Sequence, residues 1–170
     1  MISPEKDVDC MNPATLAGIF EPSEGFKTPC TPQAVIEMLR YYDIEMTGKK
    51  VAVLGRSSVI GKPVALLLLN ENATVTICHS KTADLRETVR EADIVISAMG
   101  RAKMIDGSYI REGATLIDVG INTDEDGKLC GDADFESAEK VAGAISPVPG
   151  GVGSVTTTIL AKNLLSGISE

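Results

Sequence analysis

The feature that most constrains this chain is an alternation of short apolar segments with longer helical ones. Val51–Leu54 is apolar at every position, which is typical of a strand covered on both faces of a parallel sheet. Further strands are predicted at 74–78, 94–98, 115–119 and 144–146. Helices are predicted at 32–42, 62–70, 83–92, 108–111, 134–141 and 155–165. Strand starts about 20–30 residues apart are the spacing of βαβ units, so we expect an α/β fold, a doubly wound Rossmann-type parallel sheet with helices on both faces.

The first thirty residues differ from the rest and predict an extended or irregular arm. Residues 1–31 contain four prolines and show no sustained periodicity. Apolar side chains in this arm, such as Leu16 and Ile19, are expected to pack against the rest of the protein. Thr31 and Pro32 are expected to be the N-cap and first residue of a helix. We therefore divide the chain into an arm or inter-domain segment, 1–30, and a domain with a C-terminal helix, 31–170.

Charge and cysteine usage exclude several classes of function. The net charge of −8 leaves no large positive field for a phosphate backbone, so we expect no nucleic-acid partner. The cysteines contain no C-x-x-C pair and the chain has a single histidine, so we expect no metal site. We expect free thiols and a cytoplasmic protein. The N-terminus shows no signal peptide, and the longest apolar run, 64–69, is far below the roughly 20 residues of a membrane span.

The turn after the first strand, residues 55–63, is the expected ligand-binding point of such a sheet. Gly55 permits a tight turn and Gly61 permits close approach between helix and strand. Free N–H groups at the start of the next helix would then face a phosphate. The spacing is not G-x-G-x-x-G, so a loop that needs flexible glycines for structural reasons is the alternative.

The second strand ends in residues 79–82, His-Ser-Lys-Thr, where an NAD-preferring site has an acidic residue. A hydroxyl such as that of Ser80, together with Lys81 and the nearby Arg56, could instead hold a 2′-phosphate, which indicates NADP rather than NAD. The alternative is that Ser80 and Thr82 cap the following helix, and we expect Thr82 to do so. His79 could be a general acid or base, but we favour a position on the adenosine side of the site.

A glycine- and proline-rich segment, 147–153, precedes the last predicted helix. Its prolines restrict the backbone at the start of the segment, and the glycines that follow allow many backbone conformations. The segment would expose backbone N–H groups that suit a carbonyl or carboxylate. Taken alone, such a pattern is more typical of a turn than of a site.

Six segments together resemble the methylenetetrahydrofolate dehydrogenase/cyclohydrolase family, specifically its nucleotide-binding half. They occur in family order through nearly the whole chain: Pro-Glu-Lys-Asp-Val-Asp at 4–9, Pro-Cys-Thr-Pro at 29–32, Gly-Arg-Ser at 55–57, Cys-His-Ser-Lys-Thr at 78–82, Asp-Val-Gly-Ile-Asn at 118–122 and Pro-Val-Pro-Gly-Gly-Val-Gly at 147–153. The resemblance implies an NADP cofactor and tetrahydrofolate derivatives as substrates of the complete enzyme, which would be a homodimer.

The resemblance also implies residue roles. It places the cofactor phosphates at the Gly-Arg-Ser turn, the ribose at the second-strand motif and the nicotinamide at the remaining positions: Thr31, Gly55, Arg56, Ser57, His79, Ser80, Ile121 and Thr156. It places the folate substrate at Asp9, Pro149, Gly150, Gly151, Val152 and Gly153.

Three departures from the family pattern affect the expected activity. The Tyr-x-x-x-Lys motif that supplies the family's catalytic lysine is absent from this sequence, so we expect the folate-side domain to lie outside this chain. Cys10 replaces the usual glycine, and Ser154-Val155 replaces the usual Pro-Met.

The function implied by the resemblance is NADP-dependent oxidation of 5,10-methylenetetrahydrofolate and hydrolysis of 5,10-methenyltetrahydrofolate to 10-formyltetrahydrofolate. The chain would be the cofactor-binding part of that enzyme. A dinucleotide-binding module or fragment without activity of its own is the alternative, and another Rossmann-type dehydrogenase is a third.

Overall fold

A computed structural model of the chain describes residues 2–20 and 26–166. Its centre is a five-stranded parallel sheet with the strand order β2-β1-β3-β4-β7. The strands of this sheet are β1 (Lys50–Leu54), β2 (Thr74–Cys78), β3 (Ile94–Ser97), β4 (Thr115–Asp118) and β7 (Ala144–Ile145). A separate antiparallel pair consists of β5 (Asn122–Thr123) and β6 (Leu129–Cys130). The predicted doubly wound α/β fold is confirmed.

Six α-helices accompany the strands in the described residues. They are α1 (Pro13–Ala17), α2 (Cys30–Tyr41), α3 (Gly61–Asn70), α4 (Leu85–Arg90), α5 (Phe135–Ala138) and α6 (Val152–Ser166). Short 3₁₀ turns occur at Pro4–Lys6 and Gly107–Tyr109, so the helix predicted near 108–111 is a single 3₁₀ turn. In the described part of the chain, no helix has the length and apolar character that crossing a membrane would need.

The two faces of the sheet are covered by two separate apolar clusters. Val51 and Val53 of β1 face the cluster that α2, α3 and α6 supply, whereas Ala52 and Leu54 face the cluster that contains Val89 of α4. All four of these β1 side chains are buried. Because both faces are covered, β1 has no solvent-facing positions, which explains its uninterrupted apolar sequence.

The N-terminal arm is more regular than the sequence predicts. Its α1 begins at the N-cap Asn12, whose side chain accepts a hydrogen bond from the amide of Ala14 at 3.0 Å. Asp7 is buried and accepts from the amide of Asn12 at 2.6 Å. As predicted, the arm packs on the domain, since Ile19 belongs to the core and Asn163 of α6 donates to the carbonyl of Val8 at 3.0 Å. Residues 1, 21–25 and 167–170 of the predicted units lie outside the described residues.

Two predicted helix caps are wrong. Pro29 is the N-cap of α2, so Thr31 lies within the first turn rather than before it. Helix α4 begins after Asp84, which has φ +46°, while the hydroxyl of Thr82 accepts from the amide of His79 at 2.8 Å. Thr82 therefore closes the turn after β2 and does not cap the helix, which shortens α4 relative to the prediction.

Candidate cofactor-binding site

Two cavities open at the carboxyl edge of the sheet. The first, of about 470 Å³, follows β1, β2 and β3 and is lined by Gly55, Arg56, His79, Ser80, Thr82, Leu85, Met99, Arg101 and Met104. The second, of about 290 Å³, follows β4 and β7 and is lined by Thr31, Asp118, Val119, Gly120, Ile121, Leu129, residues 147–154 and Thr156. Most of the residues predicted for the site therefore fall into one or other of these two cavities.

The turn after β1 requires both of its glycines. Gly55 has φ +119°, and a Cβ there would collide with the carbonyl oxygen of Ala98. A Cβ at Gly61 would collide with the carbonyl group of Gly55. The start of α3 therefore packs closely against the turn, as predicted. The turn itself packs closely against the backbone that follows β3.

The amides at the start of α3 are used differently from the prediction. The Ser57 hydroxyl oxygen accepts from the amides of Ile60 at 3.1 Å and Gly61 at 3.3 Å, and the Ser57 carbonyl accepts from Lys62 at 3.0 Å. The expectation that these helix amides are free is therefore wrong. The amides of Arg56, Ser57 and Ser58 in the turn itself have no acceptor within the described residues, so the unpaired amide donors lie earlier in the loop than predicted.

The first cavity combines cationic and hydroxyl groups without an acid among its described lining residues. Arg56 is exposed and forms no ion pair within the described part of the chain. Ser80 is also exposed. The Nδ1 atom of His79 accepts from the amide of Lys81 at 3.1 Å, which leaves Nε2 as the nitrogen able to donate to a ligand. This lining is suited to a phosphate monoester.

The second cavity joins residues that are distant in the sequence. The Thr31 hydroxyl of α2 lies 3.5 Å from the Thr156 hydroxyl of α6, which donates to the carbonyl of Val152 at 3.0 Å. Ile121 is 74% exposed and projects an apolar side chain at the same cavity. The Val148–Pro149 peptide is cis. Residues predicted for the nicotinamide and those predicted for the folate thus share one lining.

Two predicted residues lie outside both linings. The Asp9 side chain accepts from the amide of Cys30 at 3.2 Å, at the start of α2. The Ser57 side chain stabilises its own turn, as described above. A substrate role for Asp9 and a cofactor role for Ser57 stay predictions.

Two buried aspartates, which the sequence motifs did not single out as site residues, organise both cavities. Asp132 has no exposed surface. Its Oδ2 accepts from the amides of Met99 at 2.6 Å and Gly100 at 3.3 Å, and its Oδ1 accepts from the amide of Arg101 at 2.8 Å. Asp132 therefore fixes the loop that forms one wall of the first cavity.

Asp118, at the end of β4, fixes the corresponding loop of the second cavity. Its Oδ1 accepts from the amides of Gly120 at 2.8 Å and Asp132 at 3.0 Å, and its Oδ2 accepts from Ala133 at 2.8 Å. Burial raises the pKa of the Asp118 carboxyl above its ordinary value. A Cβ at Gly120 would collide with Asp132 and one at Gly131 with Asp118, so the glycines at these positions are a sequence signal of this pair.

The parallel sheet, the glycine turn after β1 and the paired cavities at the carboxyl edge define a nucleotide-binding domain of the doubly wound class. Residues 29–170 match the family model described as "Tetrahydrofolate dehydrogenase/cyclohydrolase, NAD(P)-binding domain". The chain belongs to that family. The resemblance and the nicotinamide dinucleotide cofactor predicted from the sequence are confirmed.

Relatives of known name agree with this assignment. The chain is 55% identical over 165 residues to the bifunctional protein FolD of Clostridioides difficile, covering 97% of this chain and 58% of that protein. It is similar to the crystal structure of the bifunctional FolD enzyme of Campylobacter jejuni, with a TM-score of 0.94, 40% identity and coverage of 99% and 60%. It is also similar to the Trypanosoma brucei enzyme complexed with NADP cofactor and inhibitor, with a TM-score of 0.92, 45% identity and the same coverage. The chain thus spans about three fifths of the length of these relatives.

Proposed function

We propose that this chain binds NADP and is the cofactor-binding part of an enzyme that oxidises 5,10-methylenetetrahydrofolate and hydrolyses 5,10-methenyltetrahydrofolate to 10-formyltetrahydrofolate. The family assignment supports the reaction class, since the named relatives are bifunctional dehydrogenase/cyclohydrolases. The single observation that supports NADP over NAD is the acid-free first cavity, in which Arg56 and Ser80 follow neighbouring strands.

The described residues fit a dinucleotide. The unpaired amides of the turn after β1 would hold the bridging phosphates, and Gly55 lets the backbone approach them. Arg56 and Ser80 would bind the 2′-phosphate, with His79 at the ribose. Thr31, Gly55, Arg56, Ser57, His79, Ser80, Ile121 and Thr156 are the proposed cofactor contacts.

The second cavity would hold the nicotinamide against the folate. When bound, the nicotinamide accepts the hydride that leaves the one-carbon unit. The hydroxyls of Thr31 and Thr156 would orient its carboxamide, and the exposed Ile121 would exclude water from one side. The 149–153 segment would position the folate, with Asp9 as a further contact. Such orientation lowers the barrier by an amount of the order of 7–11 kcal/mol when both reactants are held together.

We also propose that the chain on its own binds the dinucleotide without turning over folate. Neither lysine nor histidine is among the described residues that line the second cavity, and hydrolysis of the methenyl bridge needs a positioned proton carrier. The purified chain is expected to bind NADPH in a calorimetric titration and to show no hydride transfer with methylenetetrahydrofolate. Measurable turnover by the pure chain would contradict this proposal.

The cofactor preference is tested by titrating the chain with NADPH and with NADH. We expect NADPH to bind at least about tenfold more tightly, because a charge-assisted hydrogen bond to the 2′-phosphate contributes about 1.5–3 kcal/mol. Arg56→Gln should remove most of that difference. Arg90→Gln is the matched control, since Arg90 is exposed on α4 and lines neither cavity. Equal affinities for NADPH and NADH in the unmodified chain would overturn the NADP assignment.

A cytoplasmic location and a homodimer are further proposals. The four cysteines are free and buried, which supports a reducing compartment. Two exposed aromatic side chains at the end of α2, Tyr41 and Tyr42, support self-association, and light scattering of the purified chain tests it.

A further inference from the structure

Arg101 lies on a wall of the first cavity that none of the recognised motifs includes. It follows β3, whereas Arg56 follows β1 and Ser80 follows β2, so the two arginines approach the cavity from neighbouring strands. The Arg101 side chain is exposed, and its Nη1 lies 3.7 Å from the sulfur of Met104. Within the described residues it forms no ion pair, so its guanidinium retains its capacity for an anionic ligand.

The backbone of Arg101 is held more firmly than that of an ordinary surface loop. Its amide donates to Asp132 Oδ1 at 2.8 Å, and the preceding amides of Met99 and Gly100 donate to Oδ2 of the same carboxylate. Because Asp132 is fully buried, these charge-assisted bonds form away from water. The starting point of the Arg101 side chain is therefore fixed relative to the sheet.

We propose that Arg101 is a second specificity-determining residue, which binds the 2′-phosphate of NADP together with Arg56. This inference rests on the proposed function of the first cavity. A phosphate monoester carries about −1.5 to −2 charge and three strong acceptor oxygens. One guanidinium and one hydroxyl leave some of the acceptor sites on these oxygens without a donor. A second guanidinium supplies a further pair of N–H donors for them.

The apolar members of the lining account for the rest of the adenosine. Leu85, Met99 and Met104 offer apolar surfaces on which the adenine ring can pack, and this packing needs no cation. The two arginines are the only permanently charged residues among the described residues of this lining. A dianionic group is a ligand that can accept hydrogen bonds from both guanidinium groups at once.

The test compares adenosine 2′,5′-bisphosphate with adenosine 5′-monophosphate, because the two probes differ only in the 2′-phosphate. Calorimetric titrations are made on the unmodified chain, Arg56→Gln, Arg101→Gln, Arg101→Lys and the control Arg90→Gln. We expect Arg101→Gln to weaken the bisphosphate about tenfold or more, and the monophosphate by less than about twofold. Arg101→Lys should keep part of the affinity, because it keeps the charge but not the bidentate geometry. Arg90→Gln should change neither, and the melting temperature of each variant establishes that it is folded.

Each other outcome overturns the proposal in a recognisable way. Equal weakening of both probes by Arg101→Gln would mean that Arg101 contacts a group common to both, the adenine or the 5′-phosphate, and does not bind the 2′-phosphate. If Arg56→Gln alone weakened the bisphosphate and Arg101→Gln did not, the proposed function would stand and the role of Arg101 would fall. If the unmodified chain bound both probes equally, the NADP assignment and the role of Arg101 would fall together.

Discussion

Replacing Asp132 with asparagine changes one terminal atom of a fully buried side chain, and we expect it to destabilise the domain severely. The carboxylate accepts hydrogen bonds at both oxygens. Oδ2 serves Ser97, Met99 and Gly100, and Oδ1 serves the amide of Arg101 at 2.8 Å and the Asn122 side chain at 2.9 Å. An asparagine has one acceptor oxygen, so it can satisfy only one of these two groups of donors.

The magnitude follows from the donors that are left without an acceptor. If the asparagine oxygen accepts from the donors that bind Oδ2 in the unmodified chain, the asparagine NH₂ faces two other donors, the Arg101 amide and the Asn122 NH₂. Two hydrogen bonds to a charged acceptor are lost, worth about 1.5–3 kcal/mol each. Removing a negative charge close to the buried Asp118 offsets part of this loss. A net loss of about 2–4 kcal/mol corresponds to a melting temperature lower by roughly 4–16 °C for a chain of this size.

Thermal and urea unfolding followed by circular dichroism measure this loss. Asp126→Asn is the matched control, because Asp126 is exposed and its carboxylate makes no hydrogen bond among the described residues. The control should stay within about 0.5 kcal/mol of the unmodified chain. Asp132→Asn should in addition weaken binding of NADPH, since the loop carrying Arg101 loses its anchor. An Asp132→Asn variant that melts within about 1 °C of the unmodified chain would refute the reasoning.

Three further predictions concern the turn after β1, the start of β3 and the end of β2. Gly55→Ala should prevent dinucleotide binding and lower the melting temperature, since its Cβ would collide with backbone at φ +119°; unchanged NADPH affinity would contradict this. The pKa of Asp93 is lowered from its ordinary value of 3.8, first by the hydrogen bond from the Lys50 amide and then by that from Arg111. The ionised Asp93 carboxylate therefore stabilises the folded chain fully above pH 3.8, and this stabilisation is lost as the pH falls through the lowered pKa. Asp93→Asn should cost about 1 kcal/mol at pH 7, and urea titrations should show that gap closing below pH 3.8, whereas a constant gap would exclude the linkage. Ser80→Asp should make NADH bind more tightly than NADPH, because a carboxylate accepts from the 2′-hydroxyl and repels a 2′-phosphate; a retained preference for NADPH in the same titration would place the phosphate elsewhere.

The central strands β1, β3 and β4 could be predicted from the sequence because burial on both faces favours mainly apolar residues. The edge strands β2 and β7 are partly exposed, and their prediction depended on the regular spacing of the βαβ units. The observed strands agree with the predicted ones to within a residue or so at each end. The short elements could not be predicted in this way. In β5 and β6 only two residues pair on each side, which is too few for a periodic pattern. Helix α4 begins after Asp84, which has a left-handed conformation and no side-chain cap hydrogen bond, and the sequence indicates neither feature.

The grouping of the predicted site residues follows from topology rather than from their spacing. Parallel strands place their carboxyl ends at one edge, so the segments after β1 and β2 had to meet there. The contact between Thr31 and Thr156 is different, because it depends on how α2 and α6 pack together. Only the family resemblance linked those two residues, and nothing in their local sequences does so.

The buried pair Asp118 and Asp132 shows what local patterns leave out. An aspartate at a strand end is, from sequence alone, equally compatible with a ligand contact, a helix cap or a solvated turn. Its burial depends on hydrogen-bond donors from other segments of the chain. Asp132 accepts hydrogen bonds from backbone amides of the loop after β3 and from the side chain of Asn122, which follows Ile121. One carboxylate thus binds the Arg101 wall of the first cavity to the Ile121 side of the second. In the proposed binding mode one dinucleotide occupies both cavities at once, so this shared anchor would set the relative position of its two halves. The anchor is visible only when the segments are assembled.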